Sequence, residues 1–333
     1  MSVPAPLEPL LFQRIAQTAV WGGRALVERL EVEASPDAPI GETWELSDYP
    51  GATTRVRGGA CDGVELQQLL AEHAEVLLGD SRLDRKGRFP LLVKFIEARQ
   101  DLSVQVHPPD DALEPGGIGK TEAWYILPDS AADASIIAGL RPGTDSDALA
   151  RDASHAAVLD HLVESKVHGG DCVLIEAGTP HAIRAGTLLV EVQQTSDLTL
   201  RMYDWGRLGL DGKPRATHLE QALQVIDYAT PAPRAVRAAY PAADPVPLAR
   251  ISALVECEYF RLHEIRLTGD ADHNPDGFAR ILIVLDGSGS VTGPQSEPRK
   301  ISFGDTILLP AGMGAATFCP NSDGLHLLEA VAL

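Results

Sequence analysis

Three short stretches bring together side chains able to hold a divalent cation: Ser103-Val-Gln105-Val-His107, Lys120-Thr-Glu122 and Gly170-Asp-x6-Gly178-Thr-Pro-His181. In a β-strand alternate side chains share a face, so Ser103, Gln105 and His107 point the same way. Two imidazoles, an amide and one carboxylate suit a divalent ion that keeps an open coordination position. Among Gln105, His107, Glu122 and His181 only Glu122 carries charge. A bound ion therefore keeps a net charge of about +1 and acts as a Lewis acid toward hydroxyl or carbonyl oxygens. Glutamine serves poorly where a redox metal needs electron-rich imidazoles, so the set points to zinc rather than iron. Singly, each residue has a plainer reading. His107 and His181 adjoin prolines, as strand-end histidines often do, and a lone Glu122 would be a solvated carboxylate. The joint pattern is what argues for a metal.

Further along, Leu189-Val-Glu191-Val-Gln193 alternates, placing Glu191 and Gln193 on one side of a strand and Val190 and Val192 on the other. If the polar side turns inward, Glu191 is a buried carboxylate near the metal, which is how an acid/base group is tuned. Arg201 is expected on an adjacent strand, where it needs an anion: either Glu191, in a structural ion pair, or a substrate phosphate.

Short runs rich in Val, Ile and Leu, bounded by Gly, Pro or Asp, must position these groups. They fall at 91–96, 102–107, 123–127, 171–176, 188–193 and 198–203. Three segments read as helices packed around the first domain: one opened by Asp62-Gly-Val-Glu65 and closed by Gly79, one over 144–165, and one from Thr217 to about Tyr228. His155, His161 and His218 fall on these helices as surface residues. A Pro/Ala-rich linker spans 231–249. Strands resume at 259–267, 279–285 (ended by a turn at Asp286-Gly287) and 304–309. The expected division is a catalytic metal-binding domain at 1–230, the linker, and a smaller domain at 250–333.

The spacing Gly170, Glu176, Gly178, His181 resembles the G-x5-P-x-G-x2-H pattern of cupins, and Ser-Val-Gln-Val-His resembles their H-x-H with Gln in the leading place. Gly304, Pro310 and Gly312 repeat the pattern, but Ala315 replaces the ligand His. The fold class expected is therefore mainly β, two cupin-type β-barrels with added helices around the first, and metal only in the first.

Composition narrows the partners. The 333 residues carry 47 acidic against 28 basic side chains, a net charge of −19. Such a surface repels nucleic acid and anionic membranes, and neither is expected as a partner. Four scattered cysteines without a C-x-x-C pair read as buried, reduced thiols. With no signal-like or membrane-spanning run, the expectation is a soluble cytoplasmic protein.

Longer motifs carry a more specific resemblance: Trp21-Gly-Gly, Gly41-Glu-Thr-Trp-Glu, Leu102-Ser-Val-Gln-Val-His-Pro, Gly119-Lys-Thr-Glu-Ala-Trp-Tyr, Gly178-Thr-Pro-His-Ala and Gln194-Thr-Ser-Asp-Leu-Thr-Leu-Arg-Met-Tyr-Asp-Trp. In this order over about 21–207, the chain resembles the type I phosphomannose isomerases of the short bacterial form. Asp101 departs from the family, where many relatives have Pro. The resemblance implies one zinc ion on Gln105, His107, Glu122 and His181. It also implies active-site roles for Arg201, Lys120 and Ser103, and interconversion of mannose 6-phosphate and fructose 6-phosphate. A phosphorylated hexose is then the partner, Glu191 the candidate base, and Lys120 and Arg201 share oxyanion stabilisation and phosphate binding. Two other readings fit the cupin pattern: a different metal-dependent enzyme (an isomerase of free sugars or a dioxygenase), or a non-catalytic sugar-binding protein.

Overall fold

A computed structural model describes residues 3–242 and 247–333. The chain is mainly β with several antiparallel sheets, and it divides into two units. One comprises Met1–Ile15, Trp44–Leu92 and Arg237–Leu333; the other comprises Ala16–Thr43 and Val93–Val236. This differs from the contiguous division at 231–249 read from the linker. Leu10 and Leu11 pair with Leu308 and Ile307, while Phe12 pairs with Val56, so two N-terminal segments complete the C-terminal sheet. Part of the linker, 243–246, lies outside the described residues.

In the unit containing the C-terminus, long strands Arg280–Thr292 and Ala316–Ala332 form the centre of a nine-stranded sheet. The turn expected at Asp286-Gly287 is instead a bulge. The ladder slips between Val284 and Asp286, Gly287 takes φ +81°, and the strand continues. The helix Leu66–Leu78 belongs to this unit, not to the one holding the candidate metal ligands. Its capping box is formed by Glu65 and Gln68, three residues later than the motif first suggests. A buried Glu329 here collects His263 at 2.8 Å, His273 at 2.6 Å and Arg280 at 2.9 Å.

The other unit carries two sheets. Its strands are β1 Ile15–Gly23, β2 Ile40–Leu46, β3 Leu91–Glu97, β4 Val104–Val106, β5 Glu122–Ile126, β6 Ser135–Leu140, β7 Leu162–Lys166, β8 Cys172–Ile175, β9 His181–Ile183, β10 Leu188–Gln194 and β11 Leu200–Tyr203. Six form a sheet in the order β8-β5-β10-β3-β2-β1, and five form a second in the order β7-β6-β9-β4-β11. Apolar side chains of both sheets, among them Trp124, Ile126 and Val173 from one and Ile136 and Ile183 from the other, pack in one core. Fully buried strands read as continuous apolar runs, which is why Leu91-Leu-Val and Leu188-Leu-Val signal strands without clean alternation. The expected helix at 144–165 is shorter: Ser146–Asp152 is α-helical, Ala156–His161 is a 3₁₀ turn, and β7 begins at Leu162. The third helix is Leu219–Val225.

Candidate active site

Register places the ligand candidates. Gln105 on β4 lies between His181 on β9 and Arg201 on β11 in one sheet. In the other, Glu122 on β5 pairs with Gln193, and Trp124 pairs with Glu191, both partners on β10. The chain passes from β8 to β9 through a turn in which Gly178 adopts φ +89° and donates its N–H to the His107 carbonyl across 2.8 Å. That turn carries His181 from one sheet to the other, opposite Glu122.

The side chains converge. His107 Nε2 lies 3.5 Å from Glu122 Oε2, and His181 Nε2 lies 3.5 Å from Glu122 Oε1. Potential ligand atoms of these three buried residues all fall within 4.8 Å of one another. Each imidazole engages a backbone carbonyl through Nδ1: His107 with Leu198 at 2.7 Å, His181 with Thr179 at 2.8 Å. Donation from Nδ1 leaves Nε2 as a lone pair facing the cluster, the orientation a metal requires. Burial, reinforced by the Lys120 charge, keeps both rings neutral: His107 titrates well below the usual histidine range, and His181 is pushed down to about 4. Gln105 places its amide nitrogen 3.3 Å from His181 Nε2, while Ser103 Oγ donates to its carbonyl oxygen across 3.0 Å. This donor set fits a divalent cation.

Next to the cluster are two lysines and a second carboxylate. Lys120 Nζ lies 2.7 Å from Glu122 Oε2 and 3.6 Å from Glu191 Oε1; Lys94 Nζ lies 3.2 Å from Glu42 and 3.6 Å from the same Glu191 oxygen. Trp124 Nε1 donates to Glu191 Oε2 across 2.9 Å. Burial, with help from the Glu122 charge, raises the Glu191 pKa against the pull of Lys120 and Lys94. Burial opposes charge on both lysines too, but the neighbouring carboxylates outweigh it, and both remain ammonium groups.

Arg201 lies elsewhere than its sequence position suggested. Its strand β11 neighbours β4, not β10, and it makes no ion pair with Glu191. Its Nε donates to Ser103 Oγ at 3.2 Å and its Nη1 to the Ala216 carbonyl at 2.9 Å. Backbone bonds with His218 bracket it on the other side, so His218 supports the site. Ser103, Gln105, Lys120, Glu122, His181, Glu191 and Arg201 open on one cleft of about 690 Å³, which Lys94, Glu42 and Asp197 also line. Lys94 and Glu42 had no role in the sequence reading. The available signal was a charged residue within the apolar run Leu91-Leu-Val-Lys94-Phe-Ile, which must find a partner if the strand is buried.

The family model described as "Phosphomannose isomerase type I, catalytic domain" matches residues 10–123. The chain is 35% identical to mannose-6-phosphate isomerase ManA of Bacillus subtilis, over 92% of this chain and 94% of that protein. It is 34% identical to mannose-6-phosphate isomerase of Streptococcus mutans over 91% and 92%, respectively. The crystal structure of the Bacillus subtilis mannose 6-phosphate isomerase superposes with a TM-score of 0.85 at 29% identity, covering 97% of this chain and 99% of that one. The chain belongs to the type I phosphomannose isomerase family, a family of aldose–ketose isomerases.

Proposed function

We propose that the protein interconverts mannose 6-phosphate and fructose 6-phosphate through an enediol, with one zinc ion on Gln105, His107, Glu122 and His181. The observation that carries this is Glu191: a buried carboxylate of raised pKa facing the same cleft as Gln105, Glu122 and His181, the last two belonging with His107 to one buried cluster of potential ligands. The metal would polarise substrate oxygens as a Lewis acid. Glu191 takes the proton from C2 of the aldose while the carbonyl electrons move to O1. The O2 proton passes to O1, and as the C2 carbonyl forms Glu191 returns its proton to C1, so one proton moves between the carbons and one between their oxygens. Lys120, close to both Glu122 and Glu191, neutralises developing negative charge on the enediolate oxygens. Arg201, fixed by Ser103 on the sheet that does not carry Glu191, serves the phosphate. The two units are read as a bicupin, and the free cysteines, two buried and two half-buried, fit a reducing cytoplasm.

A coupled assay with mannose 6-phosphate, alongside free mannose and elemental analysis, tests the reading. Zinc-dependent turnover confined to the phosphorylated sugar supports it. Turnover of free mannose alone, or iron-dependent oxygen uptake, would replace it with another cupin chemistry. Sugar binding without turnover would leave a binding protein.

A further inference from the structure

Arg201 is not the sole cation in the outer part of the cleft. Residues 204–216 leave β11 as a short tongue, closed by the Gly209 N–H donating to Lys213 O at 2.7 Å and by bridge pairing of Leu208 with Pro214. Arg215 on its returning limb lines the same cleft as Arg201 and Ser103, as does Asp211. The base of the tongue is held firmly. Trp205 adopts φ +59°, a conformation costly for a bulky residue, and stays there because its indole donates to the Leu102 carbonyl at 2.8 Å under the Arg184 guanidinium.

That pinned backbone sets Asp204, on which two arginines converge. Arg207 gives Nε and Nη2 to Asp204 and Nη1 to the Asp101 carbonyl, so all its nitrogens are engaged, and it does not line the cleft. Arg215 gives only Nε and Nη2 to Asp204. Its Nη1, like Nη2 of Arg201, makes no hydrogen bond among the described residues. Asp204 thus pairs with two arginines and acts on Arg201 only through space, so that even with Asp211 counted three guanidinium groups face two carboxylates in this corner of a protein of net charge −19. Repulsion shows in Arg201 itself: burial, then the charge of Arg215, depresses its pKa. A dianion between the two guanidinium groups would relieve that repulsion and occupy both free nitrogens.

We propose that Arg215, aimed by Asp204, is the second guanidinium that grips a phosphate monoester with Arg201, and that this grip selects phosphorylated over free sugars. The proposal rests on the reading of Arg201 as the phosphate arginine. Inorganic phosphate, titrated by calorimetry into the metal-loaded protein, is the direct probe. With Arg215→Ala its dissociation constant and the KM for mannose 6-phosphate rise about 10–100-fold, the worth of a charge-assisted pair, with a far smaller change in kcat. Lys213→Ala, which removes an exposed charge from the same tongue, shifts both by no more than about twofold. Unchanged phosphate affinity in Arg215→Ala with a lowered melting temperature would overturn the proposal, leaving Arg215 a brace for Asp204. If the alanine variant fails to fold, Arg215→Lys decides: weaker phosphate binding supports the fork, equal binding refutes it. Failure of the functional reading looks different: the wild type binds phosphate, Arg215→Ala loses it, and neither turns over mannose 6-phosphate.

Discussion

Trp124 and Glu191 are cross-strand partners on β5 and β10, and the indole Nε1 donates to Glu191 Oε2 across 2.9 Å. A hydrogen bond donated to the charged carboxylate opposes the rise that burial imposes on its pKa. In Trp124→Phe that opposition is lost, so Glu191 needs a higher pH to ionise. The acidic limb of kcat/KM moves to higher pH while the alkaline limb stays. A limb that does not move would mean that another group limits the rate at low pH.

Removing one ligand breaks a preformed site without unfolding the sheets that carry it. His181→Ala and His107→Ala each lose stoichiometric metal and turnover, while the wild type holds one ion per chain by elemental analysis. A full complement of metal in His181→Ala would remove that residue from the site. Two tight ions in the wild type, one surviving His181→Ala, would place a site in the other unit.

In that other unit, Glu329 should contribute to stability with a defined pH dependence. His263, His273 and Arg280 hold its pKa far below the usual 4.5 despite burial. A depressed carboxylate contributes fully above its unfolded pKa, and its contribution is lost as pH falls below that value. Glu329→Gln costs about 3 kcal/mol or more at pH 7, because buried partners are left unpaired. The gap in urea midpoint between variant and wild type narrows from about pH 4.5 downward. A gap that widens in acid would contradict the assignment.

The convergence of Gln105, His107, Glu122 and His181 was legible because it follows short-range rules. Ser103, Gln105 and His107 share a face by strand periodicity, and the turn at Gly178 fixes where His181 falls. Long-range pairing was not legible. Sequence proximity put Arg201 beside Glu191, but its strand pairs with Val104–Val106, far back in the chain, which frees the arginine for Ser103 and the outer cleft. Leu10 and Leu11 carry no local sign that their partners are Leu308 and Ile307, so the contribution of the N-terminal segment to that sheet was not legible. Lys94 was passed over because strand apolarity dominates its window, although the charge inside that run is what Glu42 and Glu191 require.

Glu191→Gln keeps size and shape but cannot accept a proton at neutral pH, so its kcat on mannose 6-phosphate, measured together with zinc content, tests the account most directly. Turnover should fall about 10²–10⁴-fold, the worth of a positioned general base, with zinc and KM close to wild type. Near-normal kcat with zinc bound would contradict the account and return Glu191 to a structural role between Lys94 and Lys120.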